Sequence, residues 1–203
     1  MKRFITVIPI QEPEKLKKGI YEPVGDAPLI QKTREVRFPI FIPMENSVTD
    51  GERISVIAVM TDHDRVRTNY DTFKRELAEL AEEKCFTYDI TEIYTPYAED
   101  TSTHLKLFQE LIGTFNDGEE LHTCVTYGTK PVPMILMMAL TYAYRLCKEC
   151  IIESIVYGQM NHETKKMQLF DVSSLFYMNS AVNDLADVNA ADPLGFIKGM
   201  LEL

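Results

Sequence analysis

Two unbroken apolar runs, "RFITVIPI" at residues 3–10 and "RISVIAVM" at 53–60, lack polar alternation and are rich in β-branched residues. That is the pattern of strands covered on both faces. From residue 69 onward the period changes. "NYDTFKRELAELAEE" sets Phe73, Leu77 and Leu80 on one stripe and predicts an amphipathic helix opened by Asn69. "CFTYDITEIY" (85–94) follows as a strand. "TSTHLKLFQELIGTF" (101–115) is then a helix, with Leu105, Phe108, Leu111 and Ile112 inward and Thr101 to Thr103 available as caps. "ELHTCVTY" (120–127) is the fourth strand, "PVPMILMMALTYAYRLC" (131–147) the third helix and "CIIESIVYGQM" (150–160) the fifth strand. "MQLFDVSSLFYMNSAVNDLADV" (167–188) reads as a last strand leading into a helix, and Asp192 and Pro193 signal a short closing helix.

Strand alternating with helix implies right-handed βαβ units, hence an α/β fold with a doubly wound, mainly parallel sheet and helices on both faces. Between the first two strands lies a long segment, Gln11 to Glu52, rich in proline and charge. A structureless connection of that length is uncommon in a compact domain, so it is either functional or partly structured, and "EVRFPIFI" (35–42) reads as an extra strand or hairpin arm.

The apolar fraction of 45% excludes a disordered chain, and no run approaches the ~18 apolar residues of a membrane span. The strand-like start lacks a secretory signal pattern, so a cytoplasmic protein is expected. Cys85, Cys124, Cys147 and Cys150 fit a reducing compartment. Only the last two form a CxxC, without the second pair that a zinc site requires, so they read as core or helix-end thiols. The formal net charge of −10 argues against duplex nucleic acid as a partner. Its distribution is uneven. Residues 1–40 carry eight Lys/Arg against five Asp/Glu, a net of +3, which leaves room for a small anionic ligand near the N-terminal segment.

The stretch "HTCVTYGTKPVPM" (122–134) hands a strand to a helix through Gly128, Thr129 and Lys130. In doubly wound sheets ligands sit beyond the carboxyl ends of the strands, and a helix N-terminus favours anions. Gly128 permits close backbone approach, Lys130 adds a full charge, and Pro131 suits the first helical turn. The plainer alternative is a tight turn with a solvated lysine. P-loop and GxGxxG signatures are absent: "GTFNDGEE" has acidic residues where Lys and Ser/Thr belong. There is no GxSxG or HExxH, and His63, His104, His122 and His162 are scattered without metal-ligand spacing. His104, early in a helix, reads as surface. "TDHDR" (61–65) reads as a metal loop or as a solvated turn capped by Asp. The methionines of "MILMMAL" read as core or subunit interface.

Taken together, "LHTCVTYGTKPVPMILMMAL", "ESIVYG" and "LFDVSSL" resemble the hallmark of CARF domains, the CRISPR-associated Rossmann-fold sensors. There a strand of the type "DxThGxRxxP" enters a helix and the next strand ends in "YYG". Thr126, Gly128, Lys130 and Pro133 match; Cys124 replaces the usual Asp and Tyr127 the frequent His. "ITVIPIQEPEKLKKGIYEPV" resembles the family's opening strand, ligand-facing loop and tyrosine, and "VIAVMTDHDRVRTNYDTFKREL" its second strand, Thr and Asn-led helix. The resemblance covers essentially the whole chain.

It implies a sensor domain over 1–175, a helical extension over 176–203 that can lead to an effector domain beyond residue 203, and no cofactor. The ligand would be a cyclic oligoadenylate, such as cyclic tetra-adenylate, the second messenger of type III CRISPR antiviral defence, held by a symmetric homodimer. Gln11, Thr126, Tyr127, Gly128, Thr129 and Lys130 would bind it, with Lys15, Lys17 and Lys18 closing from the first loop and Asp62 and Asn69 reading adenine edges or ribose. The alternative is a metal-independent ring nuclease drawing on Lys130, Thr126 and Tyr127. A third reading is a nucleotide-binding regulator of another ligand.

Overall fold

Successive side chains of β1 (Lys2–Val7) enter two different cores, which is why the first apolar run shows no alternation. Phe4 and Ile8 pack on one side of the sheet with Val56, Ala58, Phe73 and Leu77; Ile5 and Val7 pack on the other with Ile57, Val59, Leu136 and Leu140. In the computed structural model, which describes residues 1–25, 30–161 and 163–201, β1 lies inside an eight-stranded sheet.

The remaining strands are β2 (Gly19–Val24), β3 (Glu35–Val36), β4 (Arg53–Thr61), β5 (Thr87–Thr95), β6 (Glu120–Cys124), β7 (Ile151–Met160) and β8 (Met167–Asp171). The order is β3-β2-β8-β7-β6-β1-β4-β5. The five strands β7-β6-β1-β4-β5 are all parallel. β8 then pairs antiparallel with β7, β2 runs parallel to β8, and β3 closes that edge antiparallel to β2. The winding reverses between β1 and β6, so the carboxyl ends of these two strands form the switch point where such sheets leave a crevice. The fold is Rossmann-like, as the periodicities predict.

Helices α1 (Phe41–Ser47) and α2 (Asp64–Lys84) contribute to the first core, and α3 (Thr101–Ile112), α4 (Pro131–Leu146) and α5 (Ser173–Asp187) to the second. Phe73, Leu77 and Leu80 are buried as the stripe requires. Several expectations are corrected. The segment 35–42 forms only the two-residue β3 before turning into α1, and β2 was not foreseen. Helix α2 begins five residues before Asn69, with His63 as its cap. In α3 the cap is Asp100, whose carboxylate accepts from the Thr103 amide at 3.0 Å; Leu107 is buried and Leu105 exposed. The expected boundary at 175/176 falls inside α5, whose Phe176 belongs to the second core. The closing helix α6 (Pro193–Leu201) starts where expected: Asp192 accepts from the Gly195 amide at 2.9 Å. Among the described residues no helix is long and apolar enough to cross a membrane.

Candidate ligand site

The corner after β6 is tied down by the half-buried Thr126 and Tyr127. The Thr126 hydroxyl accepts from the Gly158 amide at 2.8 Å and lies 3.1 Å from Cys124 Sγ, tying the ends of β6 and β7 together. Tyr127 donates its hydroxyl to the Arg37 carbonyl at 2.8 Å and presents its ring to Phe38. Burial pushes the Tyr127 phenol far above its ordinary pKa, so it stays protonated.

The chain then reverses at Gly128, with φ +105°, where a Cβ would come 3.1 Å from Val132 Cβ and 3.4 Å from Val7 Cγ1. Only glycine fits without displacement. The Thr129 carbonyl accepts from the Val132 amide, Pro131 and Pro133 have no N–H, and α4 starts with no side-chain cap. Among the described residues, the amides of Tyr127, Gly128, Thr129 and Lys130 donate to no protein acceptor. Lys130 is exposed. Free N–H groups at the positive end of a helix dipole, beside an exposed ammonium, form an electropositive corner.

The loop after β1 is held over the same end of the sheet. The Asn69 side-chain amide, buried in the second turn of α2, donates to the carbonyls of Pro9 and Gln11 at 2.8 and 2.9 Å. Asn69 is thus a clamp on the loop, and not the opening residue of its helix. A short 3-10 turn, Pro13–Lys15, follows; Lys15 pairs with Glu12 at 2.6 Å, and Arg37 donates to the Leu16 carbonyl at 3.1 Å. Lys17 and Lys18 stay exposed.

Between loop and corner lies a cleft of about 410 Å³. Gln11, Lys15, Leu16 and Lys17 line it from the loop, Thr126 and Tyr127 from the corner, and Tyr21, Gly158, Gln159, Met160 and Met167 from β2, β7 and β8. Largely apolar walls with a few cations and amides suit a flat anionic ligand. Burial lifts the Tyr21 phenol to a pKa of about 12. Gly158 is required here too, since a Cβ would meet Tyr21 and Pro39 at 2.7 Å.

The expected residues are therefore only partly brought together. Gln11, Thr126 and Tyr127 share this cleft with Lys15 and Lys17, and Gly128 and Lys130 continue from it along the chain without lining it. Thr129 faces a narrow crevice with Thr61, Thr95 and His104. Asp62 lines a separate cleft between α2 and β5. Met160 and Met167 were missed, because thioethers in a hairpin carry no pattern that distinguishes a ligand wall from core.

Among the described residues no three His, Cys, Asp or Glu side chains converge as a metal site; His162 lies outside them. His63 Nδ1 accepts from the Arg65 amide at 3.2 Å, so "TDHDR" holds a helix cap. Cys150 Sγ donates to the Asn116 carbonyl at 3.0 Å. No protein-family model matches this chain, and no curated protein does.

Proposed function

We propose that this chain is a CARF-type sensor domain that binds a cyclic oligoadenylate as a symmetric dimer, in the setting of type III CRISPR antiviral defence. One observation carries the reading: Gln11, Lys15 and Lys17 from the first loop and Thr126 and Tyr127 from the corner line one cleft at the carboxyl edge of the sheet, next to the free amides of Gly128 to Lys130. Lysines and amide donors suit ribose-phosphate linkages, and the Leu16, Tyr127, Met160 and Met167 walls suit adenine rings. Lys15, Lys17 and Lys18 stand on the loop that closes this cleft, against Glu12 and Glu14.

An exposed apolar stripe supports the dimer. Met134 and Met138, on successive turns of α4 just beyond Lys130, are 68% and 55% exposed. An isologous contact through this stripe covers thioethers otherwise left in water and brings two corners together around one two-fold ring.

The ring-nuclease alternative draws on Thr126, Tyr127 and Lys130. Two of those groups already serve the corner: Thr126 accepts from Gly158, and Tyr127 donates to Arg37. We therefore prefer a binding role. The test is a thermal-shift panel of cyclic tri-, tetra- and hexa-adenylate. A ring at a hundred times its dissociation constant stabilises the fold by about 2.7 kcal/mol. No shift with any ring, or a monomer in sedimentation at micromolar concentration, overturns the proposal. Linear products from labelled ring transfer the assignment to the nuclease.

A further inference from the structure

A second cleft, of about 670 Å³, opens between α2 and the edge strand β5 and shares no lining residue with the first. Its centre is a fixed frame. Tyr70 donates to Glu92 Oε1 at 2.7 Å and Tyr94 to Glu92 Oε2 at 2.6 Å, so one carboxylate holds two phenols. The two hydrogen bonds, Tyr94's first, keep the Glu92 pKa below its ordinary value, and the carboxylate stays ionised. Although anchored, Tyr94 is 58% exposed, so a rigid aromatic surface faces the cleft entrance.

The charges are not all spoken for. Asp71 pairs with Lys74 at 2.9 Å, and Lys74 also caps the Tyr70 ring at 4.6 Å. Arg67 is exposed and enters no ion pair among the described residues, and Lys106 reaches only Glu110, at 3.9 Å. Asp62 is exposed, its amide tied to the Thr95 carbonyl, and its carboxylate has no partner among the described residues. The cleft thus offers a held ring, two available cations and one available carboxylate.

The geometry points to a second ligand site for a nucleoside monophosphate, with its base on Tyr94, its phosphate between Arg67 and Lys106, and its ribose hydroxyls on Asp62. Flat bases stack on exposed aromatics, guanidinium and ammonium groups take phosphate, and a carboxylate accepts from a ribose diol. The inference rests on this cleft alone and does not depend on the cyclic oligoadenylate reading.

Equilibrium dialysis of the full chain with labelled adenosine 5′-monophosphate tests it, with ribose 5-phosphate, adenosine and inorganic phosphate as competitors. Saturable binding of one nucleotide per chain is expected, with ribose 5-phosphate and inorganic phosphate weaker by about tenfold or more because they lack the stacked base, and adenosine weaker because it lacks the phosphate. Tyr94→Ala and Arg67→Glu should each weaken it about tenfold, whereas Lys148→Glu, the same charge change at the opposite end of the sheet, leaves it unchanged. Absence of saturable binding overturns the site, as does inorganic phosphate competing as well as the nucleotide. So does an affinity unaltered in both cleft variants, or one lowered equally by Lys148→Glu. Binding lost on addition of cyclic tetra-adenylate also overturns it, by placing the nucleotide in the first cleft.

Discussion

The two ends of the sheet treat their polar groups in opposite ways. At the amino edge most of these groups satisfy one another, with Arg3 Nε buried without an acceptor among the described residues. Arg3 pairs with Glu119 at 2.7 Å, both nearly buried, and donates to the Thr114 carbonyl; Glu119 in turn accepts from the Asn116 amide. Lys2 bonds Glu52 and the Ser47 carbonyl, and the amino group of Met1 donates to Gly118 at 3.0 Å. At the carboxyl edge four consecutive amides lack acceptors among the described residues, Lys17, Lys18 and Lys130 stand exposed, and two clefts open. One end is closed on itself and holds the strands in register. The other leaves hydrogen-bonding capacity unused among the described residues.

The comparison predicts a graded set of responses. The largest belongs to Arg3→Ala, which strands the buried Glu119 carboxylate and should lower stability by about 3–5 kcal/mol in urea titration at neutral pH. A loss below about 1 kcal/mol, the range of exposed pairs, would remove the contrast between the edges.

Next comes His122, midway along β6. It is stacked on Phe4 at 4.6 Å and bonded to Ser154 at 2.8 Å, and burial lowers its pKa from 6.5 to about 4. The folded state therefore resists a proton that the unfolded chain accepts. Stability is full above the unfolded pKa and is lost as pH falls from about 6.5 to about 4, by roughly 3 kcal/mol. Urea midpoints across that window should fall steeply for the native chain and less for His122→Gln; parallel profiles would show that His122 does not titrate as its burial implies.

Gly128→Ala, at the carboxyl edge, forces a side chain into φ +105° against Val132. A cost of about 1–3 kcal/mol is expected, together with displacement of the corner. Smallest in stability is Lys130→Glu, within about 0.5 kcal/mol of native, yet it should abolish binding of cyclic tetra-adenylate. An unchanged dissociation constant at fixed salt would detach Lys130 from the ligand.

The two ends also differ in how well the sequence announces them. The strands of the parallel core are legible because residues buried on both faces leave unbroken β-branched runs, and the corner is legible because Gly128, Thr129, Lys130 and Pro131 are contiguous. β2 escaped notice because Pro23 and a single fully buried position, Tyr21, mask a strand whose pairing comes from β8 and β3. Asn69 was misread for a physical reason: asparagine favours helix caps, and only tertiary packing explains one buried in a second turn to hold two loop carbonyls. Leu105 and Leu107 lie about 200° apart around the helix, and only packing into the second core decides that Leu107 turns inward and Leu105 outward. The α2–β5 cleft has no sequence signature. Asp62, Arg67, Tyr94 and Lys106 belong to four separate elements and meet only after the sheet has formed.

Helix α6 buries none of its side chains, although Leu194, Phe196, Met200 and Leu201 are all largely apolar and exposed. A nine-residue helix with no fully buried side chain draws little from the cooperative unit. In deuterated buffer its amides should exchange within the dead time of the experiment, while those of β1, β4 and β6 open only with global unfolding. Slow exchange restricted to α6 would appear only once its apolar side chains had found a surface to cover them.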